Sequence, residues 1–260
     1  MWYPVLQSRT NEKIKQYCKL TDSAKYRRAC GRFTLEGLRL CADAVQSGFT
    51  VETLYLTADA EKKGGERLQV LLSNAKQVFT VSEAVAEKLS DTVSAQGVFC
   101  ELQMQKETDF SVKKGGKYVV LDCVQNPQNL GAVARTAEAF GVDGFIVGGG
   151  CDRYNPKALR ASMGSLLRLP VTETADLAGA VREIGKTVTT FAAVPAQTAE
   201  NICAQNFQDG AAAVIGNEGN GVSEAVLGAV QKCVTIPMRG NAESLNAAAA
   251  ATVVIWEMMK

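Results

Sequence analysis

Apolar residues recur at helical spacing over residues 36–47 (EGLRLCADAVQS), and Gly48 closes that run as a C-terminal stop. Residues 51–57 (VETLYLT) alternate instead and predict a strand. The same reading gives a helix over 66–73, a strand over 77–81, a helix from a Ser82 cap to about Leu89, and a strand over 97–103. The stretch 104–117 (MQKETDFSVKKGGK) is polar and ends in Gly-Gly, the composition of a linker. The pattern therefore divides the chain into a small α/β/α domain over 1–105, a linker over 106–117 and a second domain over 118–260.

The second domain opens with a strand from Tyr118 to Cys123 and a helix from about Leu130 to Phe140, stopped by Gly141. A strand over 144–147, helices near 156–166 and 175–185, and strands near 187–194 and 211–215 follow. A short helix over 222–229, a strand over 233–236 and a final helix over 243–258 complete the pattern. Strands alternating with helices imply an α/β fold with a mainly parallel sheet covered on both faces. Ligands bind such sheets beyond the carboxyl ends of the strands.

Composition narrows the function classes. A 260-residue chain with 47% hydrophobic content can bury a real core. Its eight cysteines are scattered, no two form a CxxC pair, and the chain contains no histidine, so no metal site is expected. Small buried thiols in a reducing cytoplasm fit this usage. The N-terminal MWYPVLQSRTNEK carries no apolar run suited to a signal peptide, and no stretch is long enough to span a membrane. The net charge of +1 says little, but its distribution is uneven. Lys13, Lys15, Lys19, Lys25, Arg27, Arg28, Arg32 and Arg39 face only Asp22 and Glu36 in the same stretch. Such a cluster suits phosphate contacts, with Lys25, Arg27, Arg28 and Arg32 as the nucleic-acid-binding candidates, and it also suits a solvated helix face.

Three loops after expected strands carry the candidate chemistry. In the first, NPQNLGAVARTAEAFG (126–141), Asn129 can cap the helix, and Arg135 lies among small apolar residues. That setting fits a surface arginine or one with an anionic partner. The second, IGNEGNGVSE (215–224), surrounds Glu218 with three glycines and two asparagines, a backbone-exposing turn that an ordinary hairpin would also explain. The third, IPMRGNAESLNAAAA (236–250), leads into the last helix, with Ser244 as a candidate N-cap and Asn246 in its first turn.

In this order the loops resemble the three motifs of the SpoU/TrmH ribose 2′-O-methyltransferases of the SPOUT superfamily. Asn129 through Arg135 match the first motif, Gly216-Asn217-Glu218-Gly219 the second, and Ile236-Pro237-Met238 through Ser244-Leu245-Asn246 the third. The stretch 151–171 is similar to the family's connecting segment, and EGLRLCADAVQSG (36–48) to the RNA-binding module that precedes the domain in many members. The resemblance implies a C-terminal trefoil knot, S-adenosyl-L-methionine as cofactor, and a homodimer with its active site near the interface. It implies cofactor contacts from Gly216, Asn217, Ile236, Met238, Ser244 and Leu245, and a polar catalytic set of Arg135, Glu218, Asn129 and Asn246. The implied substrate is RNA, ribosomal RNA of the large subunit before tRNA, with antibiotic-resistance methylation sharing the same layout.

One departure stands out: where the family often continues with valine and serine after Asn246, this chain has Ala247 to Ala251. With no histidine to act as a base, Arg135 is expected to hold an adjacent phosphate and stabilise developing alkoxide, and Glu218 to orient it or accept a proton. A non-catalytic RNA-binding or ribosome-assembly protein on the same fold is the reading of another class. A nucleotide-dependent oxidoreductase lacks its GxGxxG after the first strand.

Overall fold

A computed structural model of the chain describes residues 3–92, 95–105, 111–195 and 199–260. The chain forms two compact units, residues 1–106 with 154–167, and residues 107–153 with 168–260. Of the expected linker, residues 106–110 lie outside the described residues.

The first unit runs β1 (Val5–Leu6), α1 (Glu12–Asp22), α2 (Ala24–Cys30), β2 (Arg32–Glu36), α3 (Leu38–Gln46), β3 (Val51–Thr57), α4 (Ala58–Lys63), α5 (Gly65–Asn74), β4 (Ala75–Val81), α6 (Glu83–Leu89) and β5 (Val98–Gln103). Its sheet has the order β1-β4-β3-β5-β2, with β5 antiparallel to both neighbours and the other pairs parallel. Ile14 and Tyr17 of α1 and Val85, Ala86 and Leu89 of α6 pack on Tyr55 and Phe99 to form one core. The expected Ser82 cap is formed, its side chain accepting from the Val85 N–H. The expected helix over 36–47 begins later, at Leu38, because Arg32–Glu36 pairs with β5 as a strand and Gly37, at φ 100°, turns the chain. Phe33, Thr34 and Leu35 are all buried, so β2 shows no alternation to read.

The second unit runs β6 (Lys117–Asp122), α7 (Pro127–Phe140), β7 (Gly144–Gly148), then α8 (Pro156–Ala161) and α9 (Ser165–Arg168), β8 (Val171–Thr174), α10 (Leu177–Gly185), β9 (Thr189–Ala193), β10 (Glu200–Asn201), β11 (Ala211–Ile215), α11 (Glu224–Leu227), β12 (Lys232–Thr235) and α12 (Ala247–Met259). The sheet order is β10-β12-β9-β11-β6-β7-β8, and every pair is parallel. Ile215 lies beside Leu121 and Asp122 beside Gly148, so β11, β6 and β7 end together and their loops emerge from one edge. Helix α12 packs against α7 and β11. No helix among the described residues is long and apolar enough to cross a membrane.

Several elements differ from the sequence pattern. The helix expected over 156–166 is broken between α8 and α9, where Met163 (φ 50°) and Gly164 (φ 88°) reverse the backbone. Residues 154–167, expected within the second domain, belong to the first compact unit: Tyr154 packs its ring 4.6 Å from Phe33, and Arg160 pairs with Asp91 at 2.7 Å. Strands β8 and β10 were not expected, since β10 is only Glu200–Asn201 and β8 is half-buried along most of its length.

Candidate active site

The site is assembled by three connections at the carboxyl edge of the second unit's sheet. After β6 the chain turns through Cys123, a non-glycine residue at φ 54°, and enters α7. Asn126, not Asn129, caps that helix: its side chain accepts from the Gln128 N–H at 2.9 Å, and Pro127 occupies the first helical position. Asn129 is thereby released from capping and sits buried in the first turn.

The loop after β11 is pulled tight. A Cβ on Gly216 would lie 2.2 Å from the carbonyl carbon of Gly221 and 2.3 Å from the Val222 nitrogen, so only glycine allows this approach. Asn217 closes the turn, exchanging backbone hydrogen bonds with Gly221 and accepting from the N–H groups of Gly219 (2.9 Å) and Asn220 (3.0 Å) through Oδ1. Its Nδ2 donates to the Cys123 carbonyl at 2.8 Å, tying this loop to the first.

Glu218 makes the second tie. Its Oε2 accepts from the Gln125 N–H at 3.1 Å, and its Oε1 from the Asn126 N–H at 3.0 Å and the Asn129 side chain at 2.8 Å. Desolvation raises its pKa, yet the hydrogen bonds from Asn129, Gln125 and Asn126 outweigh that and hold it below the ordinary glutamate value. A carboxylate so furnished with donors is a poor proton acceptor.

The third connection arrives from β12. The last helix starts at Ala247 rather than 243, and Asn246, not Ser244, is its N-cap, accepting from the Ala248 N–H at 2.9 Å. Asn246 Nδ2 then donates to Asn129 Oδ1 at 3.1 Å. A continuous chain therefore runs Asn246 to Asn129 to Glu218, linking all three loops.

These loops enclose a cavity of about 440 Å³. All six residues expected at the cofactor (Gly216, Asn217, Ile236, Met238, Ser244 and Leu245) line it, as do Glu218 and Asn246, while Asn129 is joined to the last two by hydrogen bonds. Ala193, Val194 and Pro195 at the end of β9 also line it; sequence reasoning missed them, since only a proline after a strand marked the place. Arg135 does not line the cavity. It is exposed on α7 with no side-chain partner among the described residues, about 9 Å further along the helix than Asn129. The expected orientation of Arg135 by Glu218 is not formed: the carboxylate faces the 125–129 turn instead.

The cavity suits S-adenosylmethionine. Its volume falls in the range of about 300–1,000 Å³ typical of cofactor sites. Met238 and Leu245 are 39% and 40% exposed, apolar surface that a purine ring would cover, and the glycine-narrowed loop lines the cavity with them.

In the first unit the basic cluster is only partly available. Lys25 and Arg28 are exposed on α2. Arg27, expected to contact RNA, is 2% exposed: its Nη1 donates to the carbonyls of Leu20 (2.7 Å) and Thr21 (2.9 Å) and so completes the end of α1. Arg32 is drawn toward Glu52 (3.4 Å) and Glu101 (3.9 Å). Burial raises the Glu101 pKa, countered by the Tyr55 hydroxyl donating at 2.7 Å and by Arg32.

Comparison with known proteins places these features together. Residues 116–256 match the model of the SpoU rRNA Methylase family, and residues 11–100 match an MRM3-like substrate binding domain. The chain is 29% identical to the 23S rRNA (guanosine(2553)-2′-O)-methyltransferase RlmP of Bacillus subtilis, over 97% of this chain and 98% of that protein. It is 29% identical to the 23S rRNA (uridine(2479)-2′-O)-methyltransferase of Streptomyces viridochromogenes, over 96% and 90% of the two chains. The crystal structure of the SpoU methyltransferase AviRb from Streptomyces viridochromogenes with the cofactor AdoMet superposes with a TM-score of 0.84 at 28% identity, covering 96% of this chain and 97% of that one.

Proposed function

Since the chain belongs to the SpoU rRNA methylase family, we propose that it methylates a ribose 2′-hydroxyl of large-subunit ribosomal RNA. It is an S-adenosylmethionine-dependent RNA ribose 2′-O-methyltransferase. The observation that carries this reading is the cavity where the three loops converge, with the chain Asn246–Asn129–Glu218 along its wall. Ribosomal RNA is favoured over tRNA because the likeness to the two 23S rRNA enzymes extends through the N-terminal unit, where a substrate-binding domain is matched.

Gly216, Asn217, Ile236, Met238, Ser244 and Leu245 would hold the cofactor. When bound, S-adenosylmethionine supplies a methyl group on a cationic sulfur, and the neutral thioether that leaves needs no acid. The chain's own task is the weakly acidic ribose hydroxyl. Glu218 serves as a structural acceptor that fixes the first two loops, not as the base. Arg135 binds a neighbouring phosphate and stabilises the developing alkoxide.

Arg135 is exposed and does not line its own cavity, so we assign it to the active site of a second copy in a homodimer. The α7–α12 face supports this: Trp256 is 50% exposed and packs 5.5 Å from Phe140, with Ala249 and Thr252 exposed on the same helix. A trefoil knot is supported by β12 lying between β9 and β10 while α12 returns to α7 and β11. The cytoplasm is the compartment we propose, on the rRNA substrates of the relatives and eight scattered free thiols.

Mapping 2′-O-methyl positions in total RNA from cells with and without the gene tests the assignment. One ribosomal position should lose its methyl group and regain it on complementation. A lost tRNA position would overturn the substrate, and no binding of S-adenosylmethionine with RNA present would overturn the activity.

A further inference from the structure

Asp122 ends β6 with its side chain buried, 4% exposed, and takes no part in the site described above. Its Oδ2 accepts the backbone N–H of Ser223 at 2.7 Å. Ser223 is the residue that closes the cofactor loop and starts α11, and its own side chain makes no capping bond. The loop is therefore held along its length by the chain that follows β6. Asp122 takes the Ser223 N–H, the Cys123 carbonyl takes Asn217 Nδ2, and the N–H groups of Gln125 and Asn126 reach Glu218.

These attachments act on different parts of the loop. Asn217 and Glu218, both lining the cavity, fix its tip. Asp122 fixes its far end, one residue beyond Val222, whose nitrogen a Cβ on Gly216 would strike. Without that anchor the Val222–Ser223 backbone is free to move off Gly216, with only Gly221 still bonded to Asn217, and the narrow turn along the cavity wall relaxes. A hydrogen bond to a charged acceptor is stronger than a neutral one, and burial keeps water from replacing it.

We propose that Asp122 is a positioning residue for the cofactor: by holding Ser223 it keeps the Gly216–Val222 turn closed and so sets the affinity for S-adenosylmethionine. This rests on the cavity being the cofactor site. Asp122 acts through the loop and not on RNA or on the reacting hydroxyl, so its removal changes cofactor binding and leaves the turnover of the saturated enzyme in place.

The test is calorimetric titration of the full chain with S-adenosylmethionine and with S-adenosylhomocysteine, alongside steady-state methylation of RNA. Asp122→Ala should weaken both ligands by about tenfold, the loss of one charged hydrogen bond. It should raise the KM for S-adenosylmethionine while kcat stays within about twofold. Asp122→Asn keeps an oxygen that accepts the Ser223 N–H and should restore most of the affinity. Ser223→Pro removes the donor from the other side, at a residue whose φ of −65° suits proline, and should weaken binding as Asp122→Ala does. That variant decides the matter if Asp122→Ala does not fold. Unchanged affinity in the alanine or proline variant, or an asparagine variant as weak as alanine, overturns the proposal while the cofactor reading stands. A wild-type chain that binds neither ligand overturns both.

Discussion

The side-chain nitrogen of Asn129 donates to Oε1 of Glu218 at 2.8 Å, joining two loops 89 residues apart. The same amide accepts Asn246 Nδ2 through its oxygen, so both ends of one buried side chain are committed. Asn129→Ala would leave Glu218 Oε1 with one of its two donors and the Asn246 amide without its acceptor. A cost of about 1–3 kcal/mol in stability is expected, together with a loss of cofactor affinity that Asn126→Ala does not match. Thermal melts and calorimetry of the two variants measure this; equal effects would show that capping α7, and not the bridge, is what matters.

Glu218 gives the site an acid limb. Its folded pKa is lowered, so its contribution to stability is complete above the unfolded value of about 4.3 and is lost as pH falls through the lowered folded value. Protonation leaves the Gln125 and Asn126 N–H groups facing a neutral acid, which weakens this tie while Asn217 still holds Cys123. Unfolding midpoints measured across that window should fall more steeply with acid in the wild type than in Glu218→Gln. Parallel curves would remove Glu218 from the explanation.

Much of this arrangement was legible in the sequence, and the parts that were not have identifiable causes. β3, β11 and the Ser82 cap follow their patterns because each is an alternating, continuously apolar or capped segment whose neighbours add nothing contradictory. β2 was hidden because residues 33–35 are buried in succession beside a helix of similar composition. The two asparagines near the start of α7 show the limit of local reasoning. Either could cap the helix, and only the arrival of Glu218 from a distant loop shows that Asn126 does so while Asn129 turns inward. Arg27 failed for the same reason: charge density marks a surface until the open carbonyls at the end of α1 claim one guanidinium. Ordered motifs located the cavity wall because backbone geometry there demands particular residue types, glycine at 216 above all. Ala193 to Pro195 contribute walls that many residue types could supply, and so they left no mark.

Gly216→Ala tests that demand directly. Its Cβ would meet backbone atoms of Gly221 and Val222 at 2.2–2.3 Å, which no rotamer change relieves. The turn must open, and if the cavity holds the cofactor, affinity for S-adenosylmethionine should fall by about a hundredfold or more, since the backbone along its wall is displaced. The first unit is untouched, so the variant should still bind RNA. Calorimetry for the cofactor and gel shift for RNA separate the two; a variant that binds cofactor normally would place the ligand elsewhere.

Arg135→Ala should do the reverse, retaining cofactor affinity while losing methylation by about 100-fold, the scale of one removed electrostatic stabiliser. Lysine should rescue it poorly if the planar guanidinium grips phosphate in two places. Near-normal turnover of the alanine variant on true substrate would end the assignment.

The two defects can be set against each other. If Arg135 serves the cavity of a second copy, a dimer of one Gly216→Ala chain and one Arg135→Ala chain holds one complete site: the intact cavity of the arginine-deficient chain, facing the intact arginine of the cofactor-deficient one. Neither homodimer holds such a site. Mixing the two variants under conditions that exchange subunits should therefore restore methylation well above the sum of the separate preparations. Trp256→Glu in both chains, which charges the exposed ring of the α7–α12 face, should abolish that recovery and shift the sedimentation of the protein to that of a monomer. If mixing restores nothing although exchange is shown by differently tagged chains, the arginine and the cavity act within one chain.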